Sequence, residues 1–303
     1  MNDTVLCVVE LENYPEHVVA RAAWLAKLHN CDLELLLSEP SSNLLGESFV
    51  YFADMQMLAN SIKSEQDAVL QQLAASAEEL GIAVYTSSSS ERPEADMIAN
   101  KAQSCGAKFV VKGTHYHSPT ERASFAHTDW QLIRDLGCPL WFVKPAEWQE
   151  HPVIVAAVDP THGDDKHADF DCRIIRTAQA IGEKCDGSLL LFHTYQRLEE
   201  IGARVTWKFK PEKLPLDDLD EKIREEHRSA IEALAEKCAV PAEAVHQLPG
   251  RTHELLPTFA RANGVSLVVM GALAKSGLKR RIVGSTAARV LDHLPCDVLI
   301  VHA

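Results

Sequence analysis

No stretch of the chain stays apolar for the roughly 20 residues that a helix needs to cross a bilayer. The 46% of residues that are hydrophobic come instead in short runs, which suits the buried elements of a folded core and argues against a membrane partner. A secretory lead is also missing, since Met1 is followed by Asn2 and Asp3 rather than by a basic and then an apolar segment, and the expectation is a cytoplasmic protein. Positive charge is in short supply. Thirty Lys and Arg stand against 43 Asp and Glu, a formal charge of −13, which speaks against a nucleic-acid partner, because phosphate-backbone binders present a basic face. The eight cysteines, Cys7, Cys31, Cys105, Cys138, Cys172, Cys185, Cys238 and Cys296, include no C-x-x-C pair, so neither a zinc ribbon nor a thioredoxin-type site is indicated. They read as reduced thiols packed as small hydrophobes. There is no Walker A sequence, no Gly-x-Ser-x-Gly elbow, no paired carboxylates at a helical address and no nucleophile beside a base. The expectation is a protein that is not an enzyme.

What the chain does have is a repeat. Gly106–Val143 aligns without a gap on Gly264–Val301 at an offset of 158 residues, and ten of the 38 pairs are identical, where ordinary composition gives about two or three. Solenoid repeats run about 20–50 residues, so a period this long is a doubled domain. Each copy opens on a buried-type run, Val5–Val9 or Val153–Val158, followed by a helical stretch (about 15–30 or 168–185) and a second strand, "DLELLL" or "SLLLF". A longer helix follows, with Leu70, Leu73, Ala77 and Leu80 on one face in the first copy and Ile231, Leu234, Ala235 and Cys238 in the second. A short strand ("IAVYT", "EAVHQ"), a helix, "FVV" or "LVV", a last helix and a last strand complete the unit. Short continuous apolar strands alternating with helices predict α/β domains whose parallel sheets are covered on both faces. The polar, proline-containing run Lys144–Pro152 separates them. The expected domains are 1–147 and 153–303, with a linker at 148–152.

In such sheets ligands bind beyond the carboxyl ends of the strands, where strand order reverses. The second copy places Asp159 and Gly271 at strand ends of this kind, and Gly284-Ser285-Thr286 opens a helix with the apolar stripe Ala287, Val290, Leu291 and Leu294. A glycine-led helix start with hydroxyls beside it offers free N–H groups and the positive dipole end to a phosphate. Gly271 would let backbone approach a ligand, and Asp159 could accept hydrogen bonds from a ribose or base. The alternative stands beside this reading: the glycines shape turns and Ser285 caps the helix.

The string Gly271-x2-Ala274-x9-Gly284-Ser285 resembles the nucleotide motif Gly-x2-Gly-x9-Gly-Ser/Thr of the universal stress protein family, with Ala274 in place of the second glycine and a methyl group on the phosphate path. Asp159 matches the aspartate after that family's first strand. The resemblance implies two Rossmann-like domains, each a five-stranded parallel sheet with helices on both faces. It also implies a stress-response role and an adenine nucleotide, ATP or AMP, held by Asp159, Gly271, Ala274, Gly284, Ser285 and Thr286, with magnesium if the ligand is ATP. Family members pair through their last strands, so it further implies an intramolecular pseudo-dimer, with a homodimer left open.

In the first copy Ala126, His127 and Pro119 replace Gly284, Ser285 and Gly277, and Glu10 stands where Asp159 does. The expectation there is a lost nucleotide site, since the proline and imidazole remove the close-approach backbone that phosphate needs. Its "KGTHYH" and "HTDWQLIRDLGCPLWFVK" are similar to the tandem E-type branch of the family.

Other signals weigh less. His115, His117 and His127 lack a completing ligand for a metal, and no metal site is expected. Asp159–Asp171, rich in Asp and His, reads as a solvated loop ending in a helix cap. Lys279-Arg280-Arg281 reads as an exposed helix face. Trp130 and Trp141 read as core or interface aromatics. The connectors 39–62 and 196–216, which carry Phe49, Tyr51, Phe52, Trp207 and Phe209, are long enough to be lids. Two alternatives to nucleotide binding stay open: a slow ATP hydrolase in the second crevice, and a scaffold holding an apolar ligand or a protein.

Overall fold

The computed structural model describes residues 3–38, 53–114, 128–161, 165–197, 216–272 and 289–302. Within it the chain divides into two compact units, Met1–Pro145 and Ala146–Ala303. The first contains β1 (Thr4–Val9), α1 (Pro15–His29), β2 (Asp32–Ser38), α2 (Ala53–Glu78), β3 (Val84–Ser89), α3 (Glu94–Ser104), β4 (Ala107–Gly113), α4 (Thr128–Asp135) and β5 (Leu140–Val143). The second contains β6 (Val153–Ala157), α5 (Asp165–Lys184), β7 (Ser188–Tyr195), α6 (Leu216–Lys237), β8 (Val245–Pro249), α7 (Thr252–Ala262), β9 (Val265–Ala272) and β10 (Asp297–His302).

Both units have the same strand order, β3-β2-β1-β4-β5 and β8-β7-β6-β9-β10, and every pairing within them is parallel. They even repeat one flaw: the β1–β4 register slips between Thr4 and Val5, and the β6–β9 register slips between Val153 and Ile154. The first strands are the most apolar runs because they are central, flanked by strands on both edges and by helices on both faces. Val5–Val9 are all fully buried.

Helix α1 begins on Pro15, whose fixed φ suits a first turn. It buries Val18, Val19, Ala22, Ala23, Leu25 and Ala26 and stops at Asn30, which takes a left-handed cap at φ 53°. Trp130 and Trp141 are core residues, and Trp24 meets Trp141 edge-on with ring centroids 6.2 Å apart. Among the described residues no helix is long and apolar enough to cross a membrane.

Three expectations change. Leu80 is exposed rather than on the buried face with Leu70, Leu73 and Ala77, because α2 ends at Glu78 and the chain turns at Gly81, φ +78°. The connector 39–62 is helical from Ala53 onward. Helix α5 starts at Asp165, so the Asp/His-rich run Asp159–Asp171 is a loop only in its first part. Within 148–152, Trp148 donates from Nε1 to the buried Asp297 Oδ2 at 3.2 Å, which fastens it to the second unit.

Candidate functional site

In each unit the chain leaves the central strand toward one edge and returns on its other side, so strand order reverses between β1 and β4 and between β6 and β9. Two of the predicted residues flank the second reversal. Ala157 pairs with Met270, which sets Gly271 beside the exit of β6, and Asp159 follows two residues beyond that strand, exposed, with Thr161 Oγ1 donating to its Oδ1 at 2.8 Å. A carboxylate oriented this way by its own loop suits hydrogen bonds to hydroxyl groups. Ala274, Gly284, Ser285 and Thr286 lie outside the described residues, as do His115, His117, His127, Lys279-Arg280-Arg281 and the aromatics of the two connectors.

Gly271 has a neighbour that sequence reasoning did not foresee. A Cβ there would stand 2.4 Å from Phe170 Cε1 and 3.0 Å from Ile174 Cδ1 of α5. The space where a side chain would project is filled by helix packing, so this glycine has a steric reason that involves no ligand. Its counterpart Gly113 is equally constrained by a different group, with Asn13 Nδ2 and its carbonyl oxygen at 2.8 and 2.9 Å from a would-be Cβ.

The backbone at the exit of β6 is held from one side. His193 on β7 is buried and its Nδ1 lies 3.1 Å from Val158 O, while its Nε2 lies 2.7 Å from His227 Nδ1 on α6. A carbonyl only accepts, so Nδ1 of His193 carries the proton, and in the neutral pair Nε2 accepts from His227 Nδ1–H. This relay fixes the residue just before Asp159. The signal available in the sequence was a histidine inside the apolar strand "LLLFHTY".

The first unit fills the corresponding place with charge. Lys112 at the end of β4 is wholly buried, its Nζ 2.8 Å from Glu10 Oε2 and 3.0 Å from Asp129 Oδ1, and it also donates to Gly113 O at 3.2 Å. Burial pulls the ammonium's pKa down, but the facing carboxylates of Asp129 and Glu10 outweigh that and hold it above its ordinary value. Thr114 Oγ1 donates to Asp129 Oδ2 at 3.2 Å, and Asn13 Nδ2 donates to Glu10 Oε2 at 3.1 Å. At the 158-residue offset, Met270 and Ala287 occupy the Lys112 and Asp129 positions in the second copy.

A second exchange separates the two crevices. Glu94, first residue of α3, accepts from Ser38 Oγ at the end of β2 and from Thr128 Oγ1 at the start of α4, the latter at 2.7 Å. In the second unit the first residue of α7 is Thr252, which bonds Thr194 of β7 hydroxyl to hydroxyl at 2.6 Å. Two carboxylates, Glu94 and Asp129, therefore stand at the start of α4 in the first unit, where the dipole end would otherwise favour an anion. A cavity of about 320 Å³ beside Glu94 is lined by Glu10, Glu12, Ser38 and Arg92 among others. A cavity of about 740 Å³ in the second unit lies between α6 and β8, with Arg224, Arg228, Glu232 and Glu236 on its walls, and Asp159 and Gly271 are not among its lining residues.

The sequence profile of the universal stress protein family matches residues 1–144 and, a second time, residues 154–302. Universal stress protein E of Escherichia coli K12 is 29% identical over 210 residues, which cover 68% of this chain and 64% of that protein. The Salmonella typhi protein of the same name is 29% identical over 197 residues, covering 64% and 60%. The match thus spans less than two thirds of the length of these relatives. Among solved structures, a universal stress protein from Archaeoglobus fulgidus DSM 4304 superposes with a TM-score of 0.65 at 16% identity, covering 99% of this chain and 96% of that one, a likeness of fold alone.

Proposed function

Both halves of the chain belong to the universal stress protein family, in the tandem arrangement of its E-type members, and from that premise we propose a stress-response protein whose second unit binds an adenine nucleotide, ATP or AMP, without robust catalysis. The observation that carries this reading is the exposed carboxylate of Asp159, oriented by Thr161 just beyond β6 at the point where strand order reverses, the position at which open α/β sheets take ligands. Asp159 would accept from the ribose hydroxyls or the base. Gly284, Ser285 and Thr286 would supply the phosphate end. Magnesium enters as the counter-ion of a triphosphate. The contrast between the units supports the assignment to the second: Glu94 and Asp129 oppose a phosphate at the start of α4, while Thr252 and Ala287 occupy the matching positions.

Calorimetric titration of the full chain with ATP, with and without magnesium, and with AMP tests the proposal. Asp159→Ala is expected to weaken binding roughly 10- to 100-fold, the worth of one hydrogen bond to a charged group, and Gly284→Asp to abolish it. No heat with either nucleotide, or unchanged affinity in both variants, sinks the reading. Steady release of ADP by the wild-type chain would replace it with the hydrolase.

A further inference from the structure

In the second unit two thiols face each other. Cys172 on α5 and Cys238, the residue after α6, have their Sγ atoms 3.1 Å apart. A disulfide needs about 2.05 Å, so closure asks for a movement of about 1 Å. Other cysteines direct their sulfur at a backbone carbonyl instead, as Cys31 does at His29 O and Cys185 at Ile181 O.

The surrounding contacts hold this pair in place from both sides. Along one face of α5, Asp169 meets Lys237 at 3.1 Å and Gln179 Nε2 donates to Cys238 O at 2.9 Å, with Cys172 between them. The chain then turns sharply. Ala239 takes φ 55°, and Val240 N donates to Ala235 O at 2.8 Å, a closing bond that fixes the backbone around Cys238. Both sulfurs sit in the core, at 3% and 6% exposure for their residues.

We propose that Cys172 and Cys238 form an oxidisable pair that closes to an intramolecular disulfide in the presence of a peroxide, locking α5 to the carboxyl end of α6. The two S–H bonds break and one S–S bond forms. The thiols give up two electrons and two protons, and hydrogen peroxide accepts both as its O–O bond breaks, leaving two waters. The bond closes a loop 66 residues long that includes β7 and α6, hence both histidines of the relay behind Val158, so oxidation would stiffen that side of the crevice. Burial pushes the Cys238 thiol up to about 12, which makes closure slow at neutral pH because the thiolate is the attacking form.

The test uses the reduced full-length chain, exposed to hydrogen peroxide, then alkylated under denaturing conditions and mapped by mass spectrometry without reduction. The expected product is a single dominant cross-link joining the Cys172 and Cys238 peptides, with a rise in thermal midpoint of roughly 5–15 °C that dithiothreitol reverses and Cys172→Ser/Cys238→Ser lacks. The mapping needs no variant, so it stands even if the double substitution fails to fold. Both thiols still alkylated after the peroxide has oxidised other cysteines would overturn the proposal. So would cross-links scattered among several cysteines, or a bond between chains.

Discussion

A lysine ammonium with no solvent exposure is tolerable only where opposite charge meets it, and Lys112 has two carboxylates within 3.0 Å. Removing one partner of such a buried set strands the other, at a cost of about 3–5 kcal/mol, whereas replacing the set by apolar groups is often neutral. Lys112→Met is therefore expected to lower the urea-unfolding free energy by about 3–5 kcal/mol. Lys112→Met/Asp129→Ala, which installs the residue types of the second copy, should recover most of that loss. Equal losses in single and double variants would show that the ion pair is not what the lysine is for. The pH dependence has a definite sign. A lysine whose folded pKa is raised contributes fully below its unfolded value near 10.4 and loses that contribution as pH climbs toward the folded one. The stability of wild type relative to the double variant should stay constant from pH 7 to about 10 and fall above it.

At the scale of the element, the two units cap their helices alike with different residues. The turn after α2 uses Gly81 at φ +78°, and the turn after α6 uses Ala239 at φ 55°. A left-handed conformation costs a residue with a Cβ about 1–2 kcal/mol, part of which a glycine gives back in unfolded-state entropy. Ala239→Gly should therefore stabilise the chain by about 0.5–1 kcal/mol in urea, and Gly81→Ala should destabilise it by a similar amount. Elements of this kind were legible in the sequence where periodicity was strong. Val5–Val9 and the stripe of Leu70, Leu73 and Ala77 declare themselves by spacing. Boundaries were not, because α2 starts at Ala53 inside a stretch that composition reads as a connector, and α5 starts within acidic residues that suit a loop and a first helical turn equally well. In the candidate site, the placement of Asp159 and Gly271 near strand ends was legible from the apolar runs that precede them. Lys112 and His193 were not, since a polar residue in a buried strand is explained only by partners that lie 102 and 34 residues away.

For the whole molecule, an excess of 13 negative charges sets the long-range electrostatics. Exposed pairs such as Arg228–Glu232 add little and are screened along with everything else. Self-repulsion of like charge reaches about 30 Å at 0.01 M salt and only about 8 Å at 0.15 M. The thermal midpoint should accordingly rise between these two salt concentrations, and a fall would mean that surface pairing outweighs the net charge. The doubled architecture leaves one consequence for anyone who scans genomes by pattern. Gly113 and Gly271 sit at matching strand ends, yet the first makes room for an asparagine of a nearby loop and the second for a phenylalanine ring. Either would be kept by selection for tight assembly with no cargo aboard, so a surviving glycine at this position counts as testimony about crowding.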